Sequence, residues 1–241
     1  MRILLINPNT TASVTDRVAE HVRRIAGPSV EIVPATGRFG ARYIASRAAA
    51  AIAGHAALDA LAEYGSGCDA VYLACFGDPG LLALREVAAV PVVGMAEAAC
   101  REAAGRGRFS IVTGGTAWRP MLAELVTMLG LSAHLAGIRT TTATGGAIAR
   151  DPDAALGALI AACRACATDD GADTVILGGA GLAGLAERIR PMLACRILCS
   201  VEAGTRAAIA AAAGPVVRGA AATTESVGLA PALARLLAAG H

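Results

Sequence analysis

The chain of 241 residues contains two copies of one segment. Residues 69–86 read DAVYLACFGDPGLLALRE, and residues 173–190 read DTVILGGAGLAGLAERIR. Asp69 then matches Asp173, 104 positions further along the chain. Two copies of this size predict a pair of similar lobes, because a solenoid needs at least about three repeats to bury a continuous core.

The similarity extends to both sides of this segment. Residues 4–10 (LLINPNT) match residues 110–116 (SIVTGGT) at an offset of 106, and residues 92–98 (VVGMAEA) match residues 197–203 (ILCSVEA) at an offset of 105. Because three strand-like segments recur in the same order, the sequence indicates duplication of a whole α/β unit.

Short apolar runs alternate with stretches rich in Ala, Leu and Arg, a pattern that predicts strands alternating with helices. We therefore predict an α/β fold with two pseudo-symmetric lobes, each a mainly parallel sheet flanked by helices. The lobes are expected at residues 1–107 and 108–212, with a C-terminal strand and helix at 213–241 packing on the first lobe. Ligands of such sheets bind at the carboxyl ends of the strands, so the active site is expected in the cleft between the lobes.

Composition excludes several classes of protein. The formal net charge is +2, with 21 Lys+Arg against 19 Asp+Glu, which predicts no broad basic face for nucleic acid. No apolar run is long enough to cross a bilayer. Seven cysteines at irregular spacing indicate reduced thiols, as in a cytoplasmic protein. The expected partner is a small-molecule substrate.

Cys75 is the residue most suited to chemistry. It is predicted to lie at the end of a strand, beside the amides of Phe76 and Gly77 at a helix N-terminus, where a positive potential lowers the pKa of a thiol. Such a thiolate acts as a base towards a carbon acid or as a nucleophile. The other interpretation is a small buried apolar side chain. The equivalent position in the second copy is Gly179.

Hydrogen-bond donors near the strand ends are expected to hold the negative charge that develops when a proton leaves a carbon next to a carbonyl. The candidates are Asn9, Thr10, Thr116 and the amides of Gly179 and Ala180, and Phe76 and Gly77 beside the thiol are also expected to contact the substrate. The other interpretation is that these loops supply only turns and helix caps. The segment 37–50 suits a lid or a subunit contact in a homo-oligomer, and its Tyr43 and Ser46 are expected to lie near the substrate.

Three further groups leave alternatives open. Glu97 and Glu202 follow matched strands and either bind ligand, cap a helix or pair with arginines. Cys199 ends a predicted strand at the cleft, where it either packs in the core or brings a second thiol near the site.

Two patterns in the sequence resemble cofactor-binding motifs but lack the elements that such sites need. Gly179, Gly181 and Gly184 form GxGxxG, but too little chain follows for a dinucleotide-binding unit. Four cysteines, Cys163, Cys166, Cys195 and Cys199, lie in a predicted helix and strand rather than in zinc knuckles. We therefore expect neither a cofactor nor a metal.

Four motifs resemble the hydantoin racemases of the aspartate/glutamate racemase superfamily: INPNT at 6–10, ACFGDPGL at 74–81, PVVGMAEAA at 91–99 and LGGAGLAGL at 177–185. The resemblance covers nearly the whole chain. It implies a two-lobed, cofactor-independent racemase or isomerase in which two cysteines flank an acidic carbon.

The first cysteine of the family pattern maps onto Cys75, whereas the second maps onto Gly179. In addition, Cys199-Ser200 stands where the family more often has Asp-Pro. A one-cysteine decarboxylase or hydrolase-type enzyme and a non-catalytic binding protein are therefore the other readings of the same resemblance.

Overall fold

The computed structural model describes residues 1–215, 223 and 225–239, which form two four-stranded parallel sheets with helices around them. The strand orders are β2-β1-β3-β4 and β6-β5-β7-β8. The strands are β1 Arg2–Asn7, β2 Glu31–Thr36, β3 Ala70–Leu73, β4 Val92–Gly94, β5 Phe109–Gly114, β6 Leu135–Thr141, β7 Thr174–Leu177 and β8 Arg196–Cys199.

Helices follow nearly every strand, as the alternating sequence pattern predicts. They are α1 Ala12–Ala26, α2 Arg47–Tyr64, α3 Leu81–Val87, α4 Met95–Ala104, α5 Trp118–Met128, α6 Gly145–Arg150, α7 Pro152–Thr168, α8 Leu185–Ile189, α9 Ser200–Ala212 and α10 Pro231–Ala239. The central strands β1, β3, β5 and β7 are buried almost throughout, because helices cover both faces of each sheet. The predicted two-lobed α/β fold is confirmed.

Strand register confirms the duplication. Ile3 of β1 lies opposite Ala70 of β3, and Phe109 of β5 lies opposite Thr174 of β7. Phe109 is 106 residues after Ile3, and Thr174 is 104 residues after Ala70, so the pairing reproduces both offsets found in the sequence.

Side-chain contacts repeat as well. The Asp69 carboxylate accepts a hydrogen bond from the backbone N–H of Arg2 at 2.7 Å. The Asp173 carboxylate accepts from the N–H of Arg108 at 2.8 Å. Each aspartate thus joins the start of the third strand of its lobe to the start of the first.

Helices α4 and α9 connect the two lobes. They pack against each other, and each also lies against the sheet of the other lobe: α4 contacts β5, β7 and β8, while α9 contacts β1, β3 and β4. One apolar core consequently runs through both lobes, and a smaller one lies on the other side of the first sheet.

The C-terminal helix α10 lies against α2 of the first lobe. The strand expected between this helix and α9 falls largely on residues 216–222 and 224, which are outside the described residues. In the described part of the chain, no helix combines the length and the apolar character needed to span a membrane.

Tyr72 of β3 provides a test of the packing between lobes. It is fully buried, its hydroxyl donates to the carbonyl of Val201 at 3.3 Å, and a Cβ on Gly204 would lie 2.5–2.6 Å from its ring atoms. We predict that Gly204→Ala lowers the free energy of unfolding by about 1–3 kcal/mol through overpacking, as measured by urea denaturation.

The matched control is the exposed helical glycine of α7. A Cβ on Gly157 would have no atom within 4 Å, so Gly157→Ala should raise the free energy of unfolding by about 0.5–1 kcal/mol through its better helix propensity. Equal effects of the two substitutions would contradict close packing at Gly204.

Candidate active site

A cavity of about 380 Å³ lies at the carboxyl ends of the strands of both sheets. Its size is in the range usual for small-ligand sites. The first lobe contributes Asn9, Thr11, Ser13, Val14, Arg17, Arg42, Tyr43, Ile44, Ala74, Cys75 and Phe76, and the second lobe contributes Thr113, Trp118, Thr144–Ala147, Ala149, Arg150 and Gly179–Leu182.

Cys75 lies on the wall of this cavity, two residues after the end of β3, and is 8% exposed. Burial, and secondly the charge of Asp78, raise the pKa of its thiol far above the ordinary value. The prediction of a lowered pKa is wrong. Its physical reason fails because α3 begins only at Leu81, so Cys75 lies in a buried loop and not at a helix N-terminus.

Asp78 fixes the shape of this loop. It has a positive φ of 47°, and its carboxylate accepts hydrogen bonds from the first amides of α4, those of Ala96 at 2.9 Å and Glu97 at 2.7 Å. Burial raises the pKa of Asp78 to about 7, although these amides act to lower it. The loop that carries Cys75 is therefore anchored to the helix shared by the two lobes.

Gly179 follows β7, and its backbone has φ 135° and ψ 140°, in the region that favours glycine. Its N–H donates to the Ser200 hydroxyl at 3.1 Å. The N–H that the sequence predicts as a substrate donor is thus used by Ser200 in this structure. The amides of Phe76 and Ala180, which also line the cavity, donate to no other group in the described residues.

Tyr43 closes the cavity between the lobes. Its hydroxyl donates to the carbonyl of Gly114 at 2.9 Å and accepts from Nε1 of Trp118 at 3.1 Å. Burial raises the pKa of this phenol. A residue of the first lobe is thus held by two groups of the second, next to the cavity.

Asn9 is held in a fixed orientation. Its Oδ1 accepts from Nδ2 of Asn7 at 3.0 Å and from the N–H of Thr11 at 2.9 Å. Within the described residues Nδ2 of Asn9 donates to no acceptor, so it is the group of this side chain that a ligand in the cavity would meet.

Four predicted ligand contacts do not line the cavity. Ser46 instead caps α2 by accepting from the N–H of Ala49 at 3.1 Å. Gly77 lies so close to Trp118 that a side chain there would collide with the indole ring. The N–H of Thr10 donates to the carbonyl of Ala41 at 3.1 Å, and Thr116 lies just before α5.

Glu97 and Glu202 form matched ion pairs rather than cavity contacts. Arg85 lies 2.7 Å and Arg101 lies 2.8 Å from the carboxylate oxygens of Glu97. In the second copy Arg190 lies 2.6 Å and Arg206 lies 3.9 Å from Glu202. Of the alternatives left open by the sequence, pairing with arginine is the one that the geometry supports.

Cys199 joins an unpredicted cluster outside the cavity lining. Potential ligand atoms of His21, Cys199 and Glu202 lie within 4.8 Å of one another. However, Arg24 lies 2.6 Å from Nδ1 of His21, and Arg190 lies 2.6 Å from Glu202, so positive charges already occupy the places where a cation would interact. No sequence motif predicts this group, because α1 and α9 meet only through packing between the lobes.

The two cofactor motifs do not form binding sites in the described residues. The helix after Gly184, α8, has only five residues, and a Cβ on Gly181 would lie 2.8 Å from the carbonyl carbon of Gly145, so this glycine serves packing. The four cysteines that outline a zinc motif lie in α7, in β8 and just before β8, and do not gather as a ligand group there.

The sequence motifs did not predict three arginines that line the cavity. Arg17, Arg42 and Arg150 line it, and no Asp, Glu, Lys or His belongs to the lining. They come from α1, from the loop before α2 and from the end of α6. Their separation along the chain explains why no motif revealed them.

We predict that the raised pKa makes Cys75 slow to alkylate at neutral pH. Its reaction with iodoacetamide, followed by peptide mapping, should still accelerate between about pH 8 and pH 10, because only the thiolate reacts. A ligand in the cavity should slow the alkylation of Cys75 but not that of Cys195, which is partly exposed and lies outside the cavity. A rate for Cys75 that levels off below about pH 8 would contradict the effect of burial.

Known proteins resemble this chain over most of its length. The family described as Asp/Glu/Hydantoin racemase matches residues 3–208. A hydantoin racemase of Paenarthrobacter aurescens is 35% identical over 211 residues, which cover 86% of this chain and 89% of that protein.

Solved structures give the same picture. The crystal structure of allantoin racemase from Pseudomonas fluorescens superposes with a TM-score of 0.84 at 34% identity, covering 87% of this chain and 90% of that one. A liganded variant of arylmalonate decarboxylase has a TM-score of 0.65 at 18% identity, covering 89% of this chain and 94% of that one. The latter similarity concerns the fold alone.

Proposed function

Because the chain belongs to the Asp/Glu/hydantoin racemase family, we propose that it is a cofactor-independent racemase or isomerase of a small carbonyl-activated carbon acid, with Cys75 as the proton-transfer thiol. Relatives named hydantoin racemase and allantoin racemase point to a hydantoin-like ring as the substrate. In such a ring, the carbon that exchanges its proton is C5, next to the C4 carbonyl.

The observation that carries the proposal is the composition of the cavity wall. Apart from arginines, Cys75 and Tyr43 are the titratable side chains that line the cavity. The Tyr43 hydroxyl already donates to Gly114 and accepts from Trp118. Cys75 is therefore the group that is free to take a proton from a bound carbon acid or to return one.

In the proposed reaction a proton moves between C5 of the substrate and the sulfur of Cys75. The Cys75 thiol first loses its proton to solvent, and the small fraction of thiolate that results takes the C5 proton. The electrons of the C–H bond move into the carbonyl, and an enolate and a neutral thiol result. In this proposal the amides of Phe76 and Ala180 and Nδ2 of Asn9 donate to the enolate oxygen, supported by the place of all three residues in the cavity lining. Reprotonation from the Cys75 side restores the starting configuration, whereas protonation of the opposite face by a solvent water gives the inverted form.

A one-base reaction is the second candidate, and Gly179 favours it. Inversion needs a proton donor on the opposite face, and Gly179 has no side chain to provide one. The raised pKa of Cys75 also means that the thiol of the free protein carries its proton and can donate it. Both features suit the decarboxylation of a substrate followed by protonation of one face of the enolate.

We predict that Cys75→Ala lowers the rate of C5 proton exchange of 5-monosubstituted hydantoins in heavy water by at least about a hundredfold, the size of effect usual for a general acid–base group. NMR of the C5 proton measures the rate. The matched control, Cys195→Ser, changes a partly exposed thiol outside the cavity and should keep the wild-type rate. Full exchange by Cys75→Ala would exclude the thiol mechanism.

We further predict that the wild type exchanges the C5 proton faster than it inverts the configuration, as followed by NMR and polarimetry on one sample. Gly179→Cys should raise inversion relative to exchange, because it adds a second thiol to the cavity wall. Its Cβ would lie 3.3 Å from the side chain of Leu182 and 3.7 Å from the Thr113 hydroxyl.

Gly179→Ala is the control for this substitution. It imposes the same backbone strain, of about 1 kcal/mol or more, but adds no thiol. If the wild type inverts as fast as it exchanges, or if both variants change inversion equally, the one-thiol assignment is wrong.

A further inference from the structure

The cavity contains three positive charges without a negative partner. Arg17, Arg42 and Arg150 line it and form no ion pair with any acidic residue in the described ranges. The arginines beside Glu97 and Glu202, by contrast, are paired. An anion that enters the cavity would therefore meet guanidinium groups that no carboxylate of the described residues has already paired.

The three arginines are more exposed to solvent than the thiol of Cys75. Arg42 and Arg150 are exposed and Arg17 is half-buried, whereas Cys75 is only 8% exposed. A bound molecule that presents its acidic carbon to Cys75 would direct its opposite end towards the guanidinium groups. Apolar side chains such as Ile44 also line the cavity.

Contacts between elements hold the arginines around one opening. The carbonyl of Arg42 accepts from the Thr11 hydroxyl at 2.8 Å, which ties its loop to the start of α1 and therefore to Arg17. The 3₁₀ turn Ala180–Leu182, directly after Gly179, contacts both α1 and α6, the helix that ends at Arg150.

We propose that the substrate carries, besides its carbonyl-activated carbon, a carboxylate on its side chain, which Arg17, Arg42 and Arg150 bind at the mouth of the cavity. This inference rests on the proposed function, because it specifies the substrate class of the same site. Guanidinium groups bind carboxylates with charge-assisted hydrogen bonds, and a cluster of one sign also raises the local concentration of the anion. A neutral side chain would gain neither effect.

Two nearly isosteric probes test the proposal: 5-(2-carboxyethyl)hydantoin and its neutral analogue 5-(2-carbamoylethyl)hydantoin. The kcat/KM for C5 proton exchange is measured by NMR with the wild-type protein. Calorimetry with Cys75→Ala gives the Kd of each probe without turnover. The acid should be preferred by at least about tenfold in both measurements, which corresponds to one good charge-assisted contact.

Variants assign this preference to the arginines. Each of Arg17→Gln, Arg42→Gln and Arg150→Gln should reduce the preference about threefold or more, and about 0.5 M NaCl should reduce it as well, since exposed charges are screened. The control is Arg164→Gln on α7, which removes an exposed arginine outside the cavity and should leave the preference unchanged.

The outcomes separate this inference from the function on which it rests. Equal use of both probes, or a preference that survives removal of all three arginines, overturns the carboxylate site and leaves the racemase proposal standing. Arginine-dependent binding of the acid without exchange of either probe supports the site and overturns the proposed reaction on hydantoins. If neither probe exchanges its C5 proton and the acid is not bound selectively, both proposals are overturned.

Discussion

The packing of α4 and α9 against each other, with each helix also on the sheet of the other lobe, determines the geometry of the whole molecule. Each helix begins directly after the last strand of its own lobe, so it cannot move without that strand. The ends of β3 and β7 are consequently held at a fixed separation. Cys75 and Gly179 face one shared cavity because of this arrangement.

Direct contacts near the strand ends add to this constraint. The ring of Phe76 lies against the Cα of Gly178, where a side chain would collide with it, and Tyr43 is held by two groups of the opposite lobe. Residues of one lobe therefore complete the wall that the other begins. A cavity built in this way needs both copies of the repeat.

The sequence predicts the fold well because repetition and periodicity are local signals. The offsets of 104 and 106 are reproduced by the strand register, and the strand ends place Cys75 correctly. The pKa of its thiol could not be inferred, because it depends on burial and on where α3 begins. The bond from Gly179 to Ser200 joins residues 21 apart in sequence and becomes evident only in three dimensions.

The two lobes also differ in how they hold the helix after the fourth strand. In the first lobe the Asp78 carboxylate accepts from the opening amides of α4, and the absence of a side chain on Gly94 leaves room for it. In the second lobe Leu182 stands at the position of Asp78 and Cys199 at that of Gly94. The amides of Val201 and Glu202 act on the Cys199 sulfur and favour its thiolate, although burial leaves the pKa of Cys199 raised.

The backbone at Gly179 bears on how such a protein can evolve. Glycine and cysteine codons can differ by a single base, so mutation alone would regain a thiol easily. At φ 135°, however, any side chain is strained, and the amide is already bound to Ser200. A second thiol at this position therefore lowers the stability of the loop by about 1 kcal/mol or more, and this cost works against loss of the asymmetry between the lobes.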